Sequence, residues 1–529
     1  MSFKGHIFEI PIGAGGLVGV KNQTDIRPDQ LIVAHNITLE STTLRKEGGA
    51  TKYNSTVISG APTVLGGWDW WPDASTQRMV VVLSDGTIKK DSGPGTFATT
   101  LASALTMTNV VPVFVEGGKE AAANARKLFI FTGANQAKFL SGDGATVADV
   151  TTPPADWATS FPTFGFNHNG RMWGAGNSND PHRLYYSTTT NHVDFTGAGS
   201  GTLSIWPGEG ERLVGAVSFR GLIIAWKFPS GIYIIDTTDP TVTNWKVKRL
   251  TGSVGGVSAH GAVVVDDDIV FVDSSANFHK LSAVTEFSDV SSSNISKLGD
   301  VQTFIQDTFN LARLLFIRGV YYGAKREAHF AFASSDNVVN DSRFVVDFNR
   351  ADVVRFRYSN QTVTESLWLR KDSNTILRLV AGDNAGFVRS LDQAVRSVDG
   401  LGFLGEAQTP YMDFRWVDPR FAVQRKIGQF IEMTVEQKGN FNVLVRVFWD
   451  GVQTQLIYFN MGQVQAGLGS FVIGTDVLAG QNPLNRKHRL LGSGRRLSLA
   501  ISNNGVGEDF SIGRIFVHCI VGDERLERE

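Results

Sequence analysis

The chain has 529 residues, 42 % of them hydrophobic and only 19 % charged, with a formal net charge of −1. At roughly 150 residues per domain this length points to two or three domains, and the balanced charge excludes polyanion binding by bulk electrostatics. A single cysteine, Cys519, excludes an intrachain disulfide and a Cys-rich zinc site.

Glycine supplies 56 residues, above the usual ~7 %, without a Gly-X-Y period. Dispersed among Val, Ile, Phe and Tyr, it indicates many tight turns between short strands. No stretch reaches about 18 consecutive apolar residues, so no membrane span is expected. Residues 1–10 lack a cationic end followed by an apolar run, so no signal peptide is expected either.

Residues 1–60 are turn-rich, end near Lys46, Glu47, Gly48 and Gly49, and have no core of their own. They are expected to supply extended strands that pair with the next domain. From residue 61 a strand–turn–strand unit recurs. Its instances are 78–89, 127–140, 171–187, 222–236, 268–281, 329–348 and 377–390. The spacing of roughly 40 to 60 residues falls in the range of propeller blades, and each unit reads as a blade's inner hairpin.

One segment breaks this rhythm. Ser291, Ser292 and Ser293 offer N-caps, and Leu298, Val301, Ile305, Phe309 and Ala312 follow at helical spacing. One amphipathic helix is expected near 295–314, with Gly319 at its exit. Beyond 398 the alternation lengthens. Ile431, Met433 and Val435, then Val443, Val445 and Val447, then Leu497, Leu499 and Ile501, then Ile515, Val517 and Cys519 each mark one buried strand face.

The expected fold is therefore all-β. Extended strands at 1–60 lead into a β-propeller-like repeat domain at 61–397, and an antiparallel β-sandwich-like domain follows at 398–529.

No catalytic, cofactor or metal set is legible. The glycine-rich stretch Gly13–Gly19 misses the dinucleotide-binding spacing and precedes no helix. The ten histidines form no metal-binding pair, and His168 and His182 read as ordinary loop residues. Asp266, Asp267 and Asp268 point in different directions on a strand and read as a hairpin turn. Cys519, within an alternating strand, reads as a buried small hydrophobe. Two features remain. Trp68, Asp69, Trp70 and Trp71 form an aromatic cluster suited to sugar binding, to a core or to a subunit interface. Arg486, Lys487 and Arg489, with Arg495 and Arg496, form a basic cluster suited to an acidic partner or to DNA phosphates.

Several stretches together resemble the tail nozzle proteins of short-tailed phages, also called tail tubular protein B, and the related packaged-DNA stabilisation proteins. These stretches are Asn169–Gly176, Pro181–Ser187 with Asp194 and Phe195, Gly215–Lys227 and Gly231–Ile235. The helical segment after Ser293, the strands at 329–333 and 343–345, Asp25–Arg27 and Thr43–Lys46 extend the likeness. The resemblance implies a structural virion protein without catalytic residues, made in the host cytoplasm. It implies a homo-oligomeric ring, usually a hexamer, below the portal and its adaptor. The ring would enclose the DNA ejection channel, carry fibres or spikes on its flank and let genomic DNA pass. The alternative is a propeller tail protein that binds or cleaves surface glycans.

Overall fold

The computed structural model describes the chain except residues 1–3, 20–25, 41, 42, 94, 119–125, 208, 209, 285–288, 351, 352, 437, 463–483 and 523–529. Asp25 and the charged tail therefore lie outside the described residues.

The hairpins legible in the sequence are the central strand pairs of propeller blades, not the inner pairs. Six discrete four-stranded antiparallel sheets are present. Blade 1 spans 64–102, blade 2 113–149, blade 3 164–204, blade 4 212–251 and blade 5 262–294; blade 7 comprises 366–393 together with Gly49–Lys52. The ring position between blades 5 and 7 is filled by blade 6, residues 318–359, the first four strands of a nine-stranded sheet. The physical reason for the shift lies in burial. Second and third strands have neighbours on both faces, so Val80–Leu83, Leu128–Phe131 and Ile269–Val272 are continuous apolar runs, each residue at most 1 % exposed. The fourth strands of blades 1 to 4 are mostly solvent-facing, and Lys246–Thr251 has no fully buried residue.

Aspartates close several hairpins. Asp273 Oδ1 accepts the N–H groups of Ser275 and Asn277, and Asp383 Oδ1 accepts those of Ala385 and Phe387. These side chains stand in for a backbone turn and fix the register of blades 5 and 7.

The helical segment is broken. Ile295–Leu298 and Gln302–Thr308 are short α-helices and Leu311–Phe316 is a 3₁₀ turn. Asp300, at φ 55°, sits between the first two. Asn294 caps the first through Lys297 N, while Ser292 and Ser293 belong to the preceding strand. Val301, Ile305 and Phe309 are buried as expected; Leu298 is 76 % exposed and Ala312 is exposed, because the break rotates them away from the core.

The first sixty residues divide their pairing. Gly49–Lys52 joins the propeller as the outer strand of blade 7. Lys4–Ile10 and Thr43–Lys46 lie end to end along one edge of the C-terminal strand Ser511–Val521. Val33–His35 bridges the two halves. It pairs in parallel with blade 6 at Tyr358 and antiparallel with Gly405–Gln408 of the sandwich. One sheet therefore runs from blade 6 through Val33–His35 into Leu497–Asn503, Asn442–Trp449 and Val452–Asn460. A second, seven-stranded sheet faces it, and Ile431, Met433, Val445, Val447, Leu499, Ile501, Val517 and Cys519 fill the space between. Burial pushes the Cys519 thiol up to about 12, so it is a core atom rather than a nucleophile.

At the junction, adjacent residues point opposite ways. The Lys46 ammonium donates to Asn503 Oδ1 at 3.0 Å and Gly505 O at 3.3 Å, inside the sandwich. The Glu47 carboxylate accepts from Arg357 at 2.9 Å and Arg343 at 3.4 Å, inside blade 6. Arg357 also donates to Glu327 at 2.6 Å, and Glu327 holds His329 at 3.0 Å. Arg355 pairs with Asp347 at 2.6 Å nearby. All the carboxylates and guanidiniums of this network are at most 2 % exposed. Directly after it, a Cβ on Gly49 would lie 2.1 Å from Ser397 O, so only glycine lets the closing strand seat.

Burial raises the Glu47 pKa, but Arg343 and Arg357 overcome it and hold the carboxyl at about 2, against an ordinary 4.5. Its pairing therefore stabilises fully above pH 4.5 and is lost as pH falls through 2. Glu47→Gln should cost about 3–5 kcal/mol at pH 7, because it leaves two guanidiniums buried and under-compensated. Urea unfolding followed by circular dichroism checks this. The acid-induced loss of stability between pH 4.5 and 2 should also be shallower in the variant.

Candidate functional site

The turn Ala259–Gly261 is touched from blades 2, 4 and 6, so it sits as a plug within the ring of blades. A Cβ on Gly215 of blade 4 would lie 2.9 Å from Ala259 Cα, and one on Gly319 of blade 6 would lie 2.8 Å from His260 O. His260 Nε2 donates to Pro112 O, at the start of blade 2, at 2.9 Å. Its acceptor is a carbonyl, so this nitrogen carries the hydrogen. Burial and the neighbouring Arg318 push the His260 pKa down to about 4, so the ring is neutral. Arg318 donates to Leu65 O of blade 1 at 3.0 Å and is pushed to about 10 by burial.

Beside this plug lies a cleft of about 710 Å³. Gly67, His260 and Gly319 line it together with Trp68, Phe114 and Trp368. Trp71, Asp73, Glu116, Arg126 and Lys371 stand at the rim. The tryptophans differ in burial. Trp70 is fully buried between blades 1 and 2 and donates to Gly142 O at 3.0 Å. Trp68 and Trp71 are half-buried at the mouth. The Trp68 ring stacks on Phe114 at 6.3 Å, and its Nε1 donates to Glu116 at 2.9 Å. Trp71 Nε1 donates to Asp69 at 3.1 Å. Asp69 also accepts Gln77 Nε2 at 2.7 Å and the Lys371 N–H at 2.9 Å. Each indole is thus pinned by a carboxylate. Trp368 Nε1 is buried without a hydrogen-bond partner.

The basic cluster is spread along one edge of the sandwich. Arg486, Lys487 and Arg489 lie on the edge strand Leu484–Arg489, opposite Met433, Glu432 and Phe430. Lys487 and Arg489 are exposed, and the Lys487 ammonium lies 4.5 Å from the centre of the Phe430 ring. Arg486 turns inward, donating to Asn460 O at 3.1 Å and to Gly462 O, which ties the edges of the two sheets together. Arg495 and Arg496 line a separate open cleft of about 940 Å³ with Tyr411, Asp413, Arg415, Arg425 and Asp450. Their backbone N–H groups are held by the Asp450 carboxylate at 2.8–3.0 Å. Beneath them the Lys426 ammonium is buried among the carbonyls of Phe421, Gln424 and Arg495, and burial lowers its pKa to about 8.

Other sequence candidates take structural roles. Asp266 meets Arg326 and Tyr321, Asp267 meets Arg220, and Asp268 meets Lys280, so the three carboxylates diverge. Among the described residues no group of three His, Cys, Asp or Glu could hold a metal ion. His168 is buried between Ser218 and Thr237. Gly16 and Gly19 press against Phe356 and Phe304, so the glycine-rich stretch is seated rather than loose. No helix among the described residues is long and apolar enough to cross a membrane.

No family model matches the chain, and no curated protein is similar to it. Among solved structures it is similar to BamB from Moraxella catarrhalis, with 10 % identity, a TM-score of 0.37, and 68 % of this chain and 96 % of that one covered. It is also similar to the β-propeller domain of Cps50 (Swd1) from Myceliophteria thermophila, with 10 % identity, a TM-score of 0.39, and 65 % and 99 % covered.

Trp70 and Trp71 should separate on substitution. Trp70→Ala should cost about 3–5 kcal/mol, as for a large core side chain. Trp71→Ala, at the rim, should cost less than about 1 kcal/mol. Denaturant midpoints at constant slope measure both.

Proposed function

We propose that this chain is a structural subunit that assembles with copies of itself into a ring, the tail nozzle of a short-tailed bacteriophage virion, and performs no catalysis. The observation that carries this reading is the nine-stranded sheet shared by propeller and sandwich. A protein whose two parts share a sheet, a core cluster and buried ion pairs behaves as one stiff wall element rather than as two hinged domains. The plug at Ala259–Gly261 also bears on the reading. With this turn inside the ring of blades, the reading places the DNA conduit between subunits.

Subunit contacts need apolar surface, and the outer face of the seven-stranded sheet offers it. Ile7, His518, Phe430 and Arg489 form one row across four strands; Ile520 and Ile427 form part of the next. Ile7 is 64 % and Phe430 41 % exposed. In this reading Lys487, Arg489, Arg495 and Arg496 meet an acidic neighbour or the phosphates of passing DNA. The portal-adaptor and the fibres or spikes are the further partners, and the hexamer is the expected copy number. A near-neutral chain suits a conduit, since each phosphate neutralised would add affinity and hold the DNA back.

Negative-stain imaging of the purified protein, alone and with an adaptor, should yield rings. Phe430→Glu, which places a charge in the apolar face, should abolish them while leaving the circular dichroism unchanged. A strict monomer that fails to join phage tails would refute the reading.

A further inference from the structure

We propose that the cleft beside the Ala259–Gly261 turn is a binding site for a neutral saccharide. The inference stands apart from ring assembly, because it rests on the cleft alone.

The cleft of about 710 Å³ is in the range of small-molecule sites, and His260, held by Pro112 O, lines it. Its apolar lining combines Trp68, Trp71, Phe114 and Trp368, from blades 1, 2 and 7, with Val320, Leu367, Leu369 and Leu377, and the Trp68 and Trp71 rings are the half-exposed aromatic ones. An indole face is the surface on which the C–H face of a pyranose ring packs, and its amphipathic edge suits a ligand that is apolar on one face and hydroxylated round its rim. The rings are held in place before any ligand arrives. Glu116 and Asp69 fix the Trp68 and Trp71 nitrogens, and Asp69 is itself held by Gln77 and the Lys371 backbone. Such support lowers the ordering cost of binding.

The polar groups identify the ligand class. Glu116 and Asp73 supply carboxylates, Arg126 and Lys371 supply cations, and all four are exposed at the rim. Hydroxyl groups can donate to the first pair and accept from the second. With Asp69 the lining carries three carboxylates against two cations, which disfavours an anionic ligand. A nucleic acid or polyanionic glycan would bring its charge against Glu116, Asp73 and Asp69. A purely apolar ligand would leave this rim unpaired.

The test uses the full-length protein on an array of neutral and acidic bacterial oligosaccharides, with hits followed by tryptophan fluorescence titration. Binding to neutral oligosaccharides is expected. Trp71→Ala should weaken it at least about tenfold, a loss of about 1.4 kcal/mol, and Glu116→Gln should weaken it further when combined. Trp206→Ala, which removes an exposed tryptophan remote from the mouth, should leave it unchanged. Melting curves confirm that each variant is folded. Absence of binding across the array would overturn the proposal. So would binding that survives Trp71→Ala with Glu116→Gln, or binding restricted to acidic glycans.

Discussion

Two consecutive side chains, Lys46 and Glu47, hold the molecule together. A strand sends neighbouring side chains to opposite faces. Here one face belongs to the sandwich and the other to the propeller. Lys46 reaches Asn503 and Gly505, and Glu47 reaches Arg343 and Arg357. Gly48 and Gly49 then let the chain pass against 392–397 and close blade 7. Ring closure and domain docking are thus decided by the same short segment. Burying these charges is costly, and hydrophobic residues of like volume could stabilise as well. What the charges add is registry, because only one placement of the closing strand pairs them all.

Much of the propeller was legible because second and third strands are buried on both faces and read as uninterrupted apolar runs. First and fourth strands were not. Val64–Trp70 is interrupted by Gly66 and Gly67, which make room for Pro112 and Trp368. Lys246–Thr251 is polar and exposed. The sandwich strands were legible from strict alternation. Their partners in the first sixty residues were not, since pairs such as His35 with Tyr358 lie more than three hundred residues apart and leave no local trace. The helical face was readable at Val301, Ile305 and Phe309, but Gly299 and Asp300 broke its phase. The site was half legible. Trp68 and Trp71 stood out, whereas Phe114, Glu116, Trp368 and Lys371 arrive from other blades. In the basic cluster, spacing did not reveal that Arg486 points inward.

The same stiffness serves both functional readings. A wall element must transmit load between its neighbours without hinging, and a shared sheet does this. A saccharide site on that element needs walls that do not move, and a ring of blades closed by a buried ionic network supplies them. The turn Ala259–Gly261 links the two, since it sits within the ring of blades and its His260 lines the cleft.

The most direct measurement is scanning calorimetry of the intact chain at neutral pH. If propeller and sandwich are one cooperative body, a single transition is expected, with equal calorimetric and van't Hoff enthalpies. Two resolved transitions, one for each half, would contradict the claim that Lys46, Glu47 and the shared sheet bind them into a single unit.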